Sequence, residues 1–474
     1  MKTPKGKDQL SSVSKAVIVG TIIAGIGIDG MYITMHNKAV NSYESLTHSV
    51  LSNGITISDS ETNFNIFGGN ATTTYKLELN KLSDKFNKND YLYVVAKTEL
   101  NSRSPLNINA ETAFYLKGKD IDQVVKAITD SGITFNDKDG KLMHLIQPNG
   151  EVLLPVTVNY NHGKTIADLQ QINFKDHNDG TQLTIGASQL SFSQNDGINN
   201  TDISMPLVKI TSVAKQAVME IKGLNYATSI SDSLLDSSNQ NSQKSTGFNK
   251  SNFKINNITY VSNDRYNKVK LNVDDLVSVS DFNVTGSKGD LAFKTTIGEI
   301  KNSDSSISKI ENLIFNMNIK NIDIKFMTEI AKVFKQPYTM MNQNEMYQLS
   351  NKIAPLIPDI KATQIKDLEL SALINGKAAS LNITAKPNAN FINYALESMN
   401  LIQYQLNHNV DITAKLAINK TLANDYFSAA KVNNFIHQSK AIVDGDMIKV
   451  NISYMNDRIH FSNIDSHLVT NHEA

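Results

Sequence analysis

Apolar and polar residues alternate along most of the chain after residue 50. Tyr75, Leu77 and Leu79 alternate with polar neighbours, as do Tyr91, Tyr93 and Val95. Val152, Leu154, Val156, Val158 and Tyr160 form a longer run, and Leu313, Phe315, Met317 and Ile319 another. Leu368, Leu370, Ala372 and Ile374 follow, then Val410, Ile412, Ala414, Leu416 and Ile418, then Ile448, Val450, Ile452 and Tyr454. A period of two gives a strand one apolar face and one polar face. Asp139-Gly140, Asn149-Gly150, Asn375-Gly376 and Asp444-Gly445 punctuate the runs. These dipeptides favour the positive φ of tight hairpin turns, so most neighbouring strands are expected to be antiparallel.

Helical periodicity is rare. It occurs at 121–129, at 324–335 (Phe326, Met327, Ile330, Val333 and Phe334 on one face), at 342–354 (Met346, Leu349 and Ile353) and at 421–439. The second and third stop at Pro337 and Pro355. All four are amphipathic and are expected to cap or line a sheet. The fold class predicted is mainly β (α+β): a single N-terminal membrane helix, then a long, largely antiparallel β body with a few amphipathic helices.

The membrane helix comes from the start of the chain. Ala16 to Ile28 carries no charge, and the apolar stretch runs on to Met35 with Asp29 as its one charge. About 20 apolar residues match a hydrocarbon core of about 30 Å. Lys2, Lys5, Lys7 and Lys15 precede the stretch, and only Lys38 follows closely. That asymmetry places the N-terminus in the cytoplasm and the body outside it. Gly25, Gly27 and Gly30 also fit the G-x-G-x-x-G fingerprint of dinucleotide loops, but no succession of strand–helix units follows. A cleaved signal peptide is the competing reading; it lacks a clear small-x-small exit.

Composition narrows the partners. The 474 residues balance 46 Lys+Arg against 46 Asp+Glu. A neutral body without a basic cluster argues against nucleic acid. The chain has no cysteine, which excludes disulfides, thiol catalysis, Cys-bound metals and a lipoprotein anchor. A Ser- and Asn-rich stretch at 229–252 reads as a loop or linker and sets a boundary near residue 240. Three regions follow: 1–36, cytoplasmic start and anchor; 37–240, an N-terminal β-rich region; 241–474, a C-terminal β-rich region with helices.

The order of these elements resembles the YdgA-like family of bacterial inner-membrane proteins of unknown function. The segments that carry the likeness are "GMYITMHNKAVNSYESL", "NFNIFGGNATTTYKLEL", "NIKNIDIKFMTEIAKVF", "IPDIKATQIKDLELSALINGKAASLNITA" and "IVDGDMIKVNISYMNDRIHFSNI". A His-Gly-Pro stretch associated with the family's early strands has no counterpart here, which leaves 100–200 the least matched region. The resemblance implies an anchored, periplasmic, mainly β protein that forms a dimer. It supplies no catalytic residues.

Candidate chemistry is sparse. H-E-x-x-H, G-x-S-x-G and G-x-x-x-x-G-K-[ST] are absent. His460, His467 and His472 lie close together at the C-terminus, and His144, His162 and His177 lie apart from them. Neither group has the spacing of a metal site on fixed backbone. Asp264-Arg265 and Arg103 stand out because Arg is scarce, and read as surface charge. No catalytic, cofactor or metal residue is assigned. The expected function is a non-enzymatic envelope protein, a scaffold or a binder of a lipid or other apolar ligand; the alternative is an envelope enzyme whose site assembles from dispersed residues. Ala16, Gly20 and Ala24 form a small-residue stripe on the anchor, the candidate interface of a homodimer.

Overall fold

The computed structural model describes residues 50–51, 55–65, 68–78, 91–104, 107–117, 132–137, 140–148, 151–161, 164–176, 180–214, 216–235, 246–263, 268–303, 305–324, 361–388, 390–391, 408–455 and 458–462. The anchor, with Ala16, Gly20 and Ala24, lies outside them. So do the helices expected at 121–129 and 342–354, all but the first residue of the one at 324–335, and the boundary near residue 240. No described helix is long and apolar enough to cross a membrane.

The protein is mainly β. The first half holds β1 (Val50–Leu51), β2 (Ile55–Asn65), β3 (Gly68–Glu78), β4 (Tyr91–Ser104), β5 (Asn107–Lys117), β6 (Ile133–Asn136), β7 (Val152–Asn161), β8 (Lys164–Leu169), β9 (Gln171–Lys175), β10 (Gln182–Ile185), β11 (Ser188–Asn195) and β12 (Ile198–Ser212). They are followed by β13 (Ala217–Ser231), α1 (Asp232–Leu235), β14 (Thr246–Asn263), β15 (Lys268–Thr285), β16 (Lys288–Asn302), β17 (Lys309–Asp323), β18 (Gln364–Ile374), β19 (Lys377–Pro387), β20 (Val410–Asn419), α2 (Lys420–Tyr426), α3 (Ala429–Gln438), β21 (Ile442–Asp444), β22 (Met447–Met455) and β23 (Arg458–Ser462). The chain divides into two compact units: Met1–Ala227 with Ile258–Val269, and Thr228–Asn257 with Lys270–Ala474.

In the first unit the strands pair in the order β1-β2-β3-β4-β5-β7-β8-β11-β12-β10-β9-β6, every pairing antiparallel. The alternation becomes a core: Val94, Ala96, Phe114, Leu116, Val152, Leu154, Val156 and Val158 pack with Ile133, Phe135, Ile172 and Phe174. Those last four come from β6 and β9, distant from β4 and β5 in the strand order, so the sheet bends over its own apolar face. Pro155 is buried inside β7. It sits where the β5–β7 register shifts, between Ala113 and Tyr115, and a bulge is where a strand tolerates a residue without an N–H.

In the second unit the order is β15-β16-β17-β18-β19-β20-β22, again antiparallel throughout. β21 and β23 both pair with β22. Asn375-Gly376 makes the expected two-residue turn: Ile374 pairs with Lys377, and both central residues have positive φ (49° and 76°). The Asn375 side chain also accepts from the Lys309 N–H at 3.0 Å and donates to the Ser306 carbonyl at 2.9 Å, tying the turn to the neighbouring hairpin.

Two expectations are corrected. The helix at 421–439 is two helices. Phe427 is extended, and Ser428 starts α3 as an N-cap whose Oγ accepts from the Lys431 N–H, so a competing start signal splits the run. The loop at 229–252 is too wide: β13 reaches Ser231 and β14 begins at Thr246. Its Ser and Asn residues bond across the strands, the Phe248 N–H to Ser231 Oγ at 3.0 Å and Thr228 Oγ1 to Asn249 Oδ1 at 3.3 Å. Pairing there overrides the low strand propensity of these residues.

Candidate functional surface

The second unit's sheet has two chemically distinct faces. Residues directly opposite in antiparallel strands share a face, so the register assigns them. One row runs Lys294, Asn316, Glu369, Asn382, Lys415, Asn451 across β16, β17, β18, β19, β20 and β22. Beside it, Ala292, Asn318 and Asp367 continue the same face. Asp367 accepts from the Asn382 amide on one oxygen and from Asn316 Nδ2 at 3.4 Å on the other. Among the described residues, Asn318 Oδ1 is buried without a hydrogen-bond partner. The face is rich in amides and carries both charge signs.

The other face is apolar. Its rows read Leu291–Ile319–Ile365–Ala385–Ile412–Tyr454, Phe293–Met317–Leu368–Ile383–Ala414–Ile452, Thr295–Phe315–Leu370–Leu381–Leu416–Val450, and Ala372–Ala379–Ile418–Ile448. Phe293 and Phe315 meet edge to face with ring centroids 6.0 Å apart. Helices α2 and α3 pack on one corner of this face. Ala423 and Val432 bury Ile448, with Ile418, Phe435 and Ile436 around them.

One bulge at the end of the polar face has a measurable charge. Gly289 and Leu291 oppose Ile322 and Ile319, leaving Asp290 against Lys320 and Asn321. Asp290 accepts from the Asn321 N–H at 3.0 Å and from Lys320 Nζ at 2.9 Å. The backbone bond is the chief cause holding its carboxyl below the usual range; partial burial opposes it, and Lys320 adds to it. A carboxyl depressed in the folded state stabilises above its unfolded pKa, about 3.9, and that stability is lost as pH falls through the lower folded value. Asp290→Asn should therefore lower the urea midpoint at pH 7, and the gap to the parent should close as a pH series descends below about 4. A gap that stays constant with pH would show that the charge of Asp290 is not what the bulge uses.

The other shifted groups are ion-paired on the surface. Glu220 is lowered chiefly by its bond to Lys222, Glu299 by Lys301, and Asp444 by Lys449; Lys309 is raised chiefly by Glu311. His460 stands exposed on β23 opposite Ser453, and His144 is exposed far along the chain. His162, His177, His467, His472, Asp264 and Arg265 lie outside the described residues. Among the described residues no group of three or more His, Asp or Glu has the arrangement of a metal site. The polar row was not singled out by the sequence. Its members are the intervening residues of the apolar runs, and only the register brings them together.

Comparison of the chain with family models, with curated proteins and with solved structures finds no match.

Proposed function

We propose that the protein is a membrane-anchored, non-enzymatic scaffold of the bacterial cell envelope. Residues 13–35 cross the inner membrane once, with the N-terminus in the cytoplasm and the β body in the periplasm. The apolar, lysine-flanked start of the chain supports the anchor, and the resemblance to the YdgA-like family supports the inner membrane. The observation that carries the scaffold reading is the polar face of the second unit, a row from Lys294 to Asn451 across six paired strands. Alternating donors and acceptors at the roughly 4.8 Å strand spacing suit the polar surface of a protein partner. The stripe Ala16, Gly20 and Ala24 supports pairing of two anchors into a homodimer.

Two measurements in cells test this. A reporter fused after residue 60 is expected to be active only when it reads the periplasm; cytoplasmic activity would overturn the topology. A photoreactive side chain at Asn316 is expected to give a discrete adduct that is lost when Lys294→Glu and Lys415→Glu are combined. An adduct indifferent to those charges, or none, would overturn the scaffold reading.

A second reading, binding of a lipid or another apolar ligand, is favoured by the opposite face, where Leu370 is 43% exposed.

A further inference from the structure

We infer that the tip between α2 and α3 docks on an anionic phospholipid bilayer: Tyr426 and Phe427 enter its interface, and Lys431 and Lys440 meet its headgroups. The inference rests on the reading of the chain as membrane-anchored, and adds to the anchor a second, reversible contact with lipid.

The tip exposes what helices usually bury. α2 starts at the Asn419 cap and buries Leu422 and Ala423. Tyr426 lies one turn beyond Leu422 on the same side of α2, yet it is 45% exposed, so the helix carries it past the surface that covers Leu422. Phe427 is 58% exposed. Its backbone is extended, and its N–H donates to the Ala423 carbonyl at 2.9 Å. Ser428 then caps α3 by accepting from the Lys431 N–H. Hydrogen bonds on both sides therefore fix the break that leaves Phe427 outside both helices. Every residue from Asn424 to Lys431 is exposed. Among the described residues of the second unit, Tyr426 and Phe427 are the only exposed Tyr or Phe, and they are consecutive. A single exposed apolar residue is ordinary, but two adjacent aromatics at a projecting turn form a patch with no partner in the fold.

Charge points to what the patch meets. The chain is neutral overall, but 420–440 carries Lys420, Lys431 and Lys440 against Asp425 alone. That carboxylate is held by Lys377, with Nζ 2.6 Å from Oδ2. The acid beside the aromatics is thus compensated, while Lys431 and Lys440 are exposed. An apolar tip with cations behind it suits an anionic bilayer, where aromatic rings sit at headgroup level and lysines are drawn to lipid phosphates. A protein partner would have to supply a fitted pocket for the rings and acids for the lysines; a bilayer supplies both without register. Beyond Ala430 the exposed side of α3 is polar, with Asn433, Asn434, His437 and Gln438, so insertion stops at the tip.

The chain has no cysteine, so one introduced cysteine carries one label. Full-length protein bearing Phe427→Cys or Asn316→Cys is labelled with an environment-sensitive fluorophore. It is then reconstituted in vesicles of phosphatidylcholine and phosphatidylglycerol containing a doxyl-labelled lipid. Unchanged amide protection in α3 establishes that each variant is folded. The label at 427 is expected to be quenched at least about twofold more than the label at 316 on the polar sheet face. Lys431→Glu combined with Lys440→Glu, or vesicles of phosphatidylcholine alone, should remove most of that difference, since charge draws the tip to the surface. Equal quenching at the two positions in floated vesicles would overturn the inference and leave the anchor standing. Failure of the protein to float with the vesicles would overturn the anchor, and the inference with it. A photoreactive side chain at Tyr426 should form its adduct with lipid in cells; an adduct with a protein instead would make the tip a protein contact and overturn the inference.

Discussion

Phe114→Ala is expected to destabilise the first unit by about 3–5 kcal/mol, the range for truncating a buried aromatic. Phe114 is 1% exposed and packs among residues of β4, β6, β7 and β9. It stands opposite Ala96, beside the register shift where Pro155 is buried. Its neighbours come from strands on both sides of the bent sheet and are held by their own ladders, so they cannot collapse into the space left behind. The urea midpoint read by amide exchange in β4, β5 and β7 measures the loss. Leu142→Ala is the control, because Leu142 is 58% exposed, and surface truncations change stability by about 0.5 kcal/mol or less. If the two variants unfold together, Phe114 does not hold the two sides of the sheet.

Ile448→Asp is expected to strip α2 and α3 from the second unit. Ile448 is 1% exposed under Ala423 and Val432, and a carboxylate there costs several kcal/mol unless it is neutralised. The helices are short, 7 and 10 residues, and helices of that length are marginal without packing. Amide protection in α3 should fall to that of an unfolded segment at pH 7. Burial raises the pKa of the new carboxyl, so protection should return in part as the pH is lowered and the group takes up a proton. Val443→Asp, at a position 42% exposed in the adjacent β21, should leave α3 protected. Loss of protection in both variants would mean that charge anywhere near the helices suffices, and would remove Ile448 from its place under them.

Much of the architecture was legible residue by residue. The run Val152, Leu154, Val156, Val158 alternates in sequence and is buried in the structure, while Tyr160 in the same run is half-buried near the strand end. Asn375-Gly376 was readable as a turn because positive φ is a local demand that Asn and Gly meet at low cost. The break at Phe427-Ser428 was not read, although a Ser ahead of a helical run is a start signal; the apolar spacing across it looked continuous. The strands at 229–231 and 246–252 were hidden for a different reason. Ser and Asn carry no apolar alternation, and their place in a sheet depends on cross-strand bonds such as that from the Phe248 N–H to Ser231.

By itself the sequence determined the mainly β class, the antiparallel sense, the Asn-Gly turn, and which residues of each strand share a face. These follow from local periodicity and turn chemistry, which neighbouring residues fix without distant contacts. Tertiary structure alone decided which strands are neighbours, that β6 and β9 close over β5 and β7, and that Lys294, Asn316, Glu369, Asn382 and Lys415 stand in one row. Period two says that a residue lies on a face but not beside what. Register is a pairing between distant segments, and bulges at Asp290 and near Ala113 shift it by steps that leave no mark on the alternation of either strand alone.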